Sequence, residues 1–253
     1  MNHASEFCTE EQKEGIMDKM VYGKSLSIFI SATLIFLMSC FSVQGSEILL
    51  DDYQKGLSPK WEEKSFQGKT RYEVAREDGH QCIRATSQAA ASGLFYEIRY
   101  DPKAYPILKW RWKADHILRK GDALKKAGDD YVARVYVVFP SLAFWKTRAI
   151  NYIWANKLPK GKAVPNPFTA NAIMVAVESG PSLTGQWVEE ARNIFEDYRK
   201  YFGEDPPEVG AVAIMTDTDN TGEVAVAWYG EIRALSAPNA GDSLLIYEHR
   251  CQN

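Results

Sequence analysis

Asp129 and Asp130 stand side by side a few residues ahead of Arg134. A carboxylate pair is the minimal equipment for splitting a glycosidic bond, where an acid faces a nucleophile or base about 5 to 9 Å away. Adjacent residues of an extended chain point to opposite faces, so these two serve one substrate only if the backbone bends between them. The plainer expectation is that Asp130 holds the Arg134 guanidinium. A guanidinium held in this way presents a fixed donor fork to polar or anionic ligand groups. Trp110, Trp112, Trp145, Tyr152 and Trp154 are the rings that would form a stacking platform for sugars. For Trp110 and Trp112 a place in the core is the competing expectation. Asp217-Thr218-Asp219-Asn220-Thr221-Gly222 matches the first half of an EF-hand loop, but Trp228 stands where the bidentate Glu belongs, which excludes that motif. Asp217, Asp219 and Asn220 remain candidates for a structural Ca²⁺, and no other cofactor is expected. The alternative for the same loop is a set of Asx turns closing a sheet edge.

Much chemistry is excluded. The chain has no GxSxG elbow, HExxH, GxxxxGK[ST] or paired CxxC, so common hydrolase, zinc and nucleotide readings lack their starting residues. Beyond the first 45 residues the histidines are His80, His116 and His249, each in a turn, loop or tail, which argues against a histidine triad or metal site. Those 45 residues hold three lysines and five acidic residues of totals of 30 and 33. The remainder carries a charge of about −1, no footprint for nucleic acid or an anionic membrane.

The elements that must position these side chains are mostly strands. Leu50 to Tyr53 opens the series. Thr70 to Arg76 and Gln81 to Thr86 flank Glu77-Asp78-Gly79, a hairpin signal because Asp and Gly tolerate positive φ. Leu94 to Tyr100 is another strand. In the next, Leu108, Trp110 and Trp112 alternate with Lys109, Arg111 and Lys113, the pattern of a half-buried strand. His116 to Asp130 is a polar connection into the strand Tyr131 to Phe139, where Arg134 shares a side with Val132, Tyr136 and Val138. Pro140 to Pro167 lacks clear periodicity and reads as a long functional loop rich in aromatics. Ile173 to Glu178 follows. Trp187 to Phe202 is either one helix or a strand to Arg192 followed by a helix from Ile194 to Phe202, with Gly203 placed to end it. Val209 to Thr216, Val224 to Trp228 and Tyr229 to Leu235 complete roughly nine strands with one short helix. That inventory predicts an all-β antiparallel sandwich of jelly-roll type.

The N-terminus reads as an address. Leu26 to Val43 is an apolar run preceded by Lys19 and Lys24 and followed by Gly45 and Ser46, a secretory signal pattern with cleavage ahead of Ser46. Met17 or Met20 opens a more ordinary signal than the acidic stretch before them. Leu37-Met38-Ser39-Cys40 resembles a lipobox, in which Cys40 is lipidated; an uncleaved anchor is the third option, about 18 apolar residues only just spanning a bilayer. The expected division is therefore 1–45 extension and signal peptide, 46–235 sandwich domain and 236–253 tail. The product is exported, periplasmic or secreted, or else lipid-anchored to the envelope, and meets a membrane only through that segment. Cys82 and Cys251 are the cysteines of the exported part, a potential disulfide in an oxidising compartment.

Ala91-Ser92-Gly93-Leu94, Leu108 to Trp112, Lys126 to Tyr136, Asn151 to Ala155, Pro165-Asn166-Pro167-Phe168, Arg192 to Tyr198, Ala213 to Gly222 and Trp228 to Ile232 resemble the bacterial exported family called domain of unknown function 3047. The likeness runs from about Leu49 to Leu235. It implies no established activity. Its layout is also similar to galactose-binding-like jelly rolls of carbohydrate-binding modules, where a Trp-led strand precedes a short helix; this resemblance favours the split of Trp187 to Phe202. By the same analogy a groove around Arg134, Trp112, Tyr152, Trp154, Asn166 and Arg192 binds a polar ligand such as an envelope glycan. The alternatives are a polysaccharide hydrolase or lyase using Asp129 or Asp130, and a structural partner in an envelope assembly, marked by an exposed apolar patch.

Overall fold

In the computed structural model, which describes residues 45–237, the chain builds two facing sheets from thirteen strands. In order these are β1 (Glu47–Asp51), β2 (Trp61–Gln67), β3 (Arg71–Glu77), β4 (His80–Gln88), β5 (Ala91–Tyr100), β6 (Ile107–Ala114), β7 (Arg134–Phe139), β8 (Arg148–Ala155), β9 (Ala163–Asn166), β10 (Thr169–Ser179) and β11 (Val188–Asn193). Helix α1 (Ile194–Phe202), β12 (Val209–Asp217) and β13 (Val224–Leu235) follow. The six-stranded sheet runs β11-β6-β13-β4-β3, with β1 taking up the end of β13 that β4 leaves. The seven-stranded sheet runs β2-β5-β12-β7-β8-β10-β9. The expected sandwich stands, antiparallel except that β8 and β10 run parallel.

Local chemistry explains the elements. Asp78 and Gly79 turn the β3–β4 hairpin with φ of 50° and 82°. The split of Trp187 to Phe202 is the observed one. Asn193 ends β11 and caps α1 by accepting from the Glu196 N–H at 3.0 Å, and Gly203 closes the helix at φ 75°. Trp110 and Trp112 are sealed in the core, touching across the sandwich: Trp110 lies 5.2 Å from Tyr152 and Trp112 5.9 Å from Trp154 between ring centroids.

Two expectations are corrected. Arg134, not Tyr131, begins β7. Pro140 to Pro167 is no loop, since it contains β8 and β9. Strand β8 is buried on both faces: Ile150, Tyr152 and Trp154 enter the main core, while Ile153 and Ala155 join Ala123, Tyr131, Met174 and Ala176 beneath the 115–133 connection. A strand covered twice has no alternation to read. The signal segment, Cys40, His249 and Cys251 lie outside the described residues, as do the tail beyond residue 237 and any bond between Cys251 and the buried Cys82.

Candidate functional site

The residues expected to share one groove are divided between the two sides of the seven-stranded sheet. Successive side chains of a strand point to opposite faces. Tyr152 and Trp154 on β8 therefore turn inward, meeting Trp110 and Trp112 from β6 respectively, while Arg134 on β7 turns outward. Arg192, on the inner side of β11, joins the inward group. Its guanidinium grips Asp197 of α1 through Nε at 3.0 Å and Nη2 at 2.7 Å, and Asp197 also accepts from the Tyr152 hydroxyl at 2.8 Å. The Trp154 indole donates to the Gly180 carbonyl at 3.1 Å. Trp112, Tyr152 and Trp154 have no exposed surface. As a stacking platform open to solvent they are corrected: they are the packing between the layers.

On the outward side Arg134 is 5% exposed, and its Nη2 bonds Asp217 rather than Asp130. The guanidinium lies over the rings of Tyr131 and Tyr136, with centroids 5.1 and 5.4 Å away. Beside these rings and bonded to Asp217, it is a buried paired charge and not an open ligand contact. Asp130 has a different task, accepting from the Thr221 N–H at 2.6 Å and from Asn220 through its N–H at 3.3 Å and Nδ2 at 3.2 Å. It pins the 217–222 turn. Asp129 faces elsewhere, accepting from the Tyr131 hydroxyl at 3.1 Å and from Asn166 Nδ2 at 2.7 Å. The two aspartates thus diverge, at the end of the turn 126–128 rather than within a strand, and each is bonded to a different part of the structure.

Oxygens of Asp130, Asp217 and Asp219 lie within 4.8 Å of one another. Asn220 bridges them with its amide nitrogen, 3.2 Å from Asp130 and 3.3 Å from Asp219, and so presents donors to the cluster. Burial, opposed by Arg134 and reinforced by Asp130 and Asp129, lifts the Asp217 carboxyl well above its ordinary range. Arg134 and the N–H groups of the turn answer the cluster's charge.

Three rings on this outer face, Phe66, Phe95 and Tyr136, are more accessible than the buried Arg134, Trp112, Tyr152 and Trp154 of the expected groove. Register carries one row of side chains across the outer face of the seven-stranded sheet: Glu62 on β2, Phe95 on β5, Ala213 on β12, Tyr136 on β7, Asn151 on β8 and Met174 on β10; Phe66, at the bulge of β2, reaches it through its ring. Phe66 is 66% exposed and lies 6.5 Å from Phe95, which is 6.3 Å from Tyr136; both of the latter are half-buried. Gly93 leaves room beside Phe95, where an added Cβ would come within 3.1 Å of the ring. Beyond Tyr136 the row ends in polar groups. Asn151 keeps its Oδ1 buried without a hydrogen-bond partner, and the half-buried Asn166 joins Asp129. The outward parity of Tyr136 was visible in its spacing from Arg134. The approach of Phe66 and Phe95 to it was not, because the pairing of distant strands is a tertiary property.

No curated protein matches the chain in sequence. Among solved structures, the K3 cleaved adhesin domain of Lys-gingipain from Porphyromonas gingivalis w83 is 13% identical, covering 76% of this chain and 100% of that one, with a TM-score of 0.40. The carbohydrate recognition domain of Emp47p is 10% identical, covering 79% and 100%, with a TM-score of 0.45. Lectin I-B4 from Griffonia simplicifolia, in its metal-free form, is 10% identical, covering 76% and 100%, with a TM-score of 0.37. A family profile described as "Protein of unknown function (DUF3047)" matches residues 59–233.

Proposed function

The chain belongs to the DUF3047 family of proteins of unknown function, and from that premise we propose that it is an exported carbohydrate-binding domain whose binding face is the outer side of the seven-stranded sheet. The observation that carries this reading is the aromatic row from Phe66 through Phe95 to Tyr136, leading into the Asp129–Asn166 pair. Apolar sugar faces stack on exposed rings while hydroxyls need fixed donors and acceptors at the side, and the row offers both in that order. The ligand in view is an envelope glycan. Arg134 supports the site from below by fixing Tyr131 and Tyr136, the first of which bonds Asp129.

Glycan-array binding of the purified protein tests this, with Phe95→Ala as the deciding variant. The ring is half-buried and stands over the sheet's outer face, so its loss should weaken glycan binding about tenfold and change thermal stability little. Unchanged binding to every glycan that the parent protein holds, or no glycan held at all, would reject the reading.

One observation favours a second reading, a docking part in an envelope assembly: Leu142, Phe144 and Trp145 project into solvent from the β7–β8 connection. Such a cluster of large apolar side chains on one loop is the kind of patch that partners cover.

A further inference from the structure

A cleft opens where the edges of the two sheets part, between β10, β11 and α1. It encloses about 220 Å³ and is lined by Lys160, Glu190, Arg192, Lys200 and Tyr201 over an apolar floor that includes Val175 and Val177. Strand alternation puts Val188, Glu190 and Arg192 on the inner side of β11, so a carboxyl group is directed into the gap between the layers. Its Oε1 is buried and has no hydrogen-bond partner. The fully buried Trp112 turns its indole N–H toward this carboxyl, and that N–H also lacks a partner in hydrogen-bond geometry. A buried carboxyl oxygen left unmet beside a cavity marks a place that a polar guest completes.

The charges around the cleft define the guest. Lys160 is joined to the buried Glu178, and Arg192 is held by Asp197. Lys200 lies with its Nζ 5.3 Å over the Tyr201 ring, and among the described residues no carboxylate pairs with it. With Glu190 protonated the lining is donor-rich and carries one unbalanced positive charge; with Glu190 ionised that excess is gone. We propose that this cleft binds a small carboxylate-bearing molecule, apart from the outer-face site, and that the Glu190 carboxyl gates it by donating a hydrogen bond to the guest's carboxylate.

The groups facing Glu190 are Glu178 from β10, Lys160 from the β8–β9 connection, Arg192 from its own strand, Lys200 and Tyr201 from α1, and the uncharged Trp112 from β6. Burial and the nearby Glu178 push the Glu190 carboxyl up to about 7, against the pull of Lys160, Arg192 and the Trp112 N–H. Protonation therefore occurs within the range where proteins function.

The test is calorimetric or NMR titration of the full protein with glucuronate, and with glucose as the neutral counterpart, at about pH 5.5 and about pH 8.5, for the parent and for Glu190→Gln. The amide donates at both pH values. Glucuronate should bind the parent at least about tenfold more tightly at the lower pH, glucose should not bind in the cleft, and the variant should hold glucuronate with nearly equal affinity at both. Resonances of Lys200, Tyr201 and the Trp112 indole locate the binding and separate it from Phe95 and Tyr136. No glucuronate binding at the lower pH, equal binding of glucose there, or a pH dependence that survives in the variant would overturn the proposal, whatever the outer face binds.

Discussion

At the scale of single residues, the deciding fact is where Arg134 spends its hydrogen bonds. A buried guanidinium that bonds Asp217 and lies over two tyrosine rings holds structure together, and removing it leaves carboxylates crowded without their cation. Arg134→Ala should therefore cost about 3–5 kcal/mol of unfolding free energy, the usual penalty for breaking a buried pair, read by urea denaturation at neutral pH. A loss under about 1 kcal/mol would mean that the pair is not carrying the cluster's charge. The presence of an arginine on a hydrophobic strand could be read from residue spacing. Its partner could not, because Asp130 is close in sequence while Asp217, on the neighbouring strand β12, is close in space.

At the scale of elements, β11 places both an inward glutamate and an inward arginine at an open edge. The Glu190 carboxyl has a folded-state value raised to about 7 from 4.5. Between those two values the folded protein binds more protons than the unfolded chain, so this group's contribution to stability is present at low pH and lost as pH rises through about 7. Denaturant titrations at about pH 5 and about pH 8 should show the parent losing stability across that interval by more than Glu190→Gln does, the glutamine being unable to titrate. Equal losses in the two proteins would remove Glu190 as the cause. This parity follows from the sequence once Val188–Asn193 is taken as a strand; it disappears when the same residues are read as one helix.

At the scale of the whole molecule, strand β1 begins at Glu47 and pairs with the last strand, so the sheet starts one residue after the expected cleavage point. Among the described residues no helix is long and apolar enough to cross a membrane. Mass spectrometry of the protein recovered from outside the cytoplasm should give a mature chain beginning at Ser46; a lipid-modified Cys40 at its start, or retention in the cytoplasm, would contradict that. The sequence by itself determined the class of fold, the hairpin at Asp78-Gly79, the capped helix after Asn193 and the alternation of the Trp110–Trp112 strand, because each is written in turn residues, caps or a period of two. Only the tertiary structure decided which side of the seven-stranded sheet each candidate faces. Tyr152 and Arg134 are neighbours in strand order yet lie on opposite faces, and the Phe66–Phe95–Tyr136 ring contacts exist only once three separate strands are brought side by side. The physical reason is that a strand's faces are fixed by parity, but which face meets the core and which meets solvent is set by the layers packed against it.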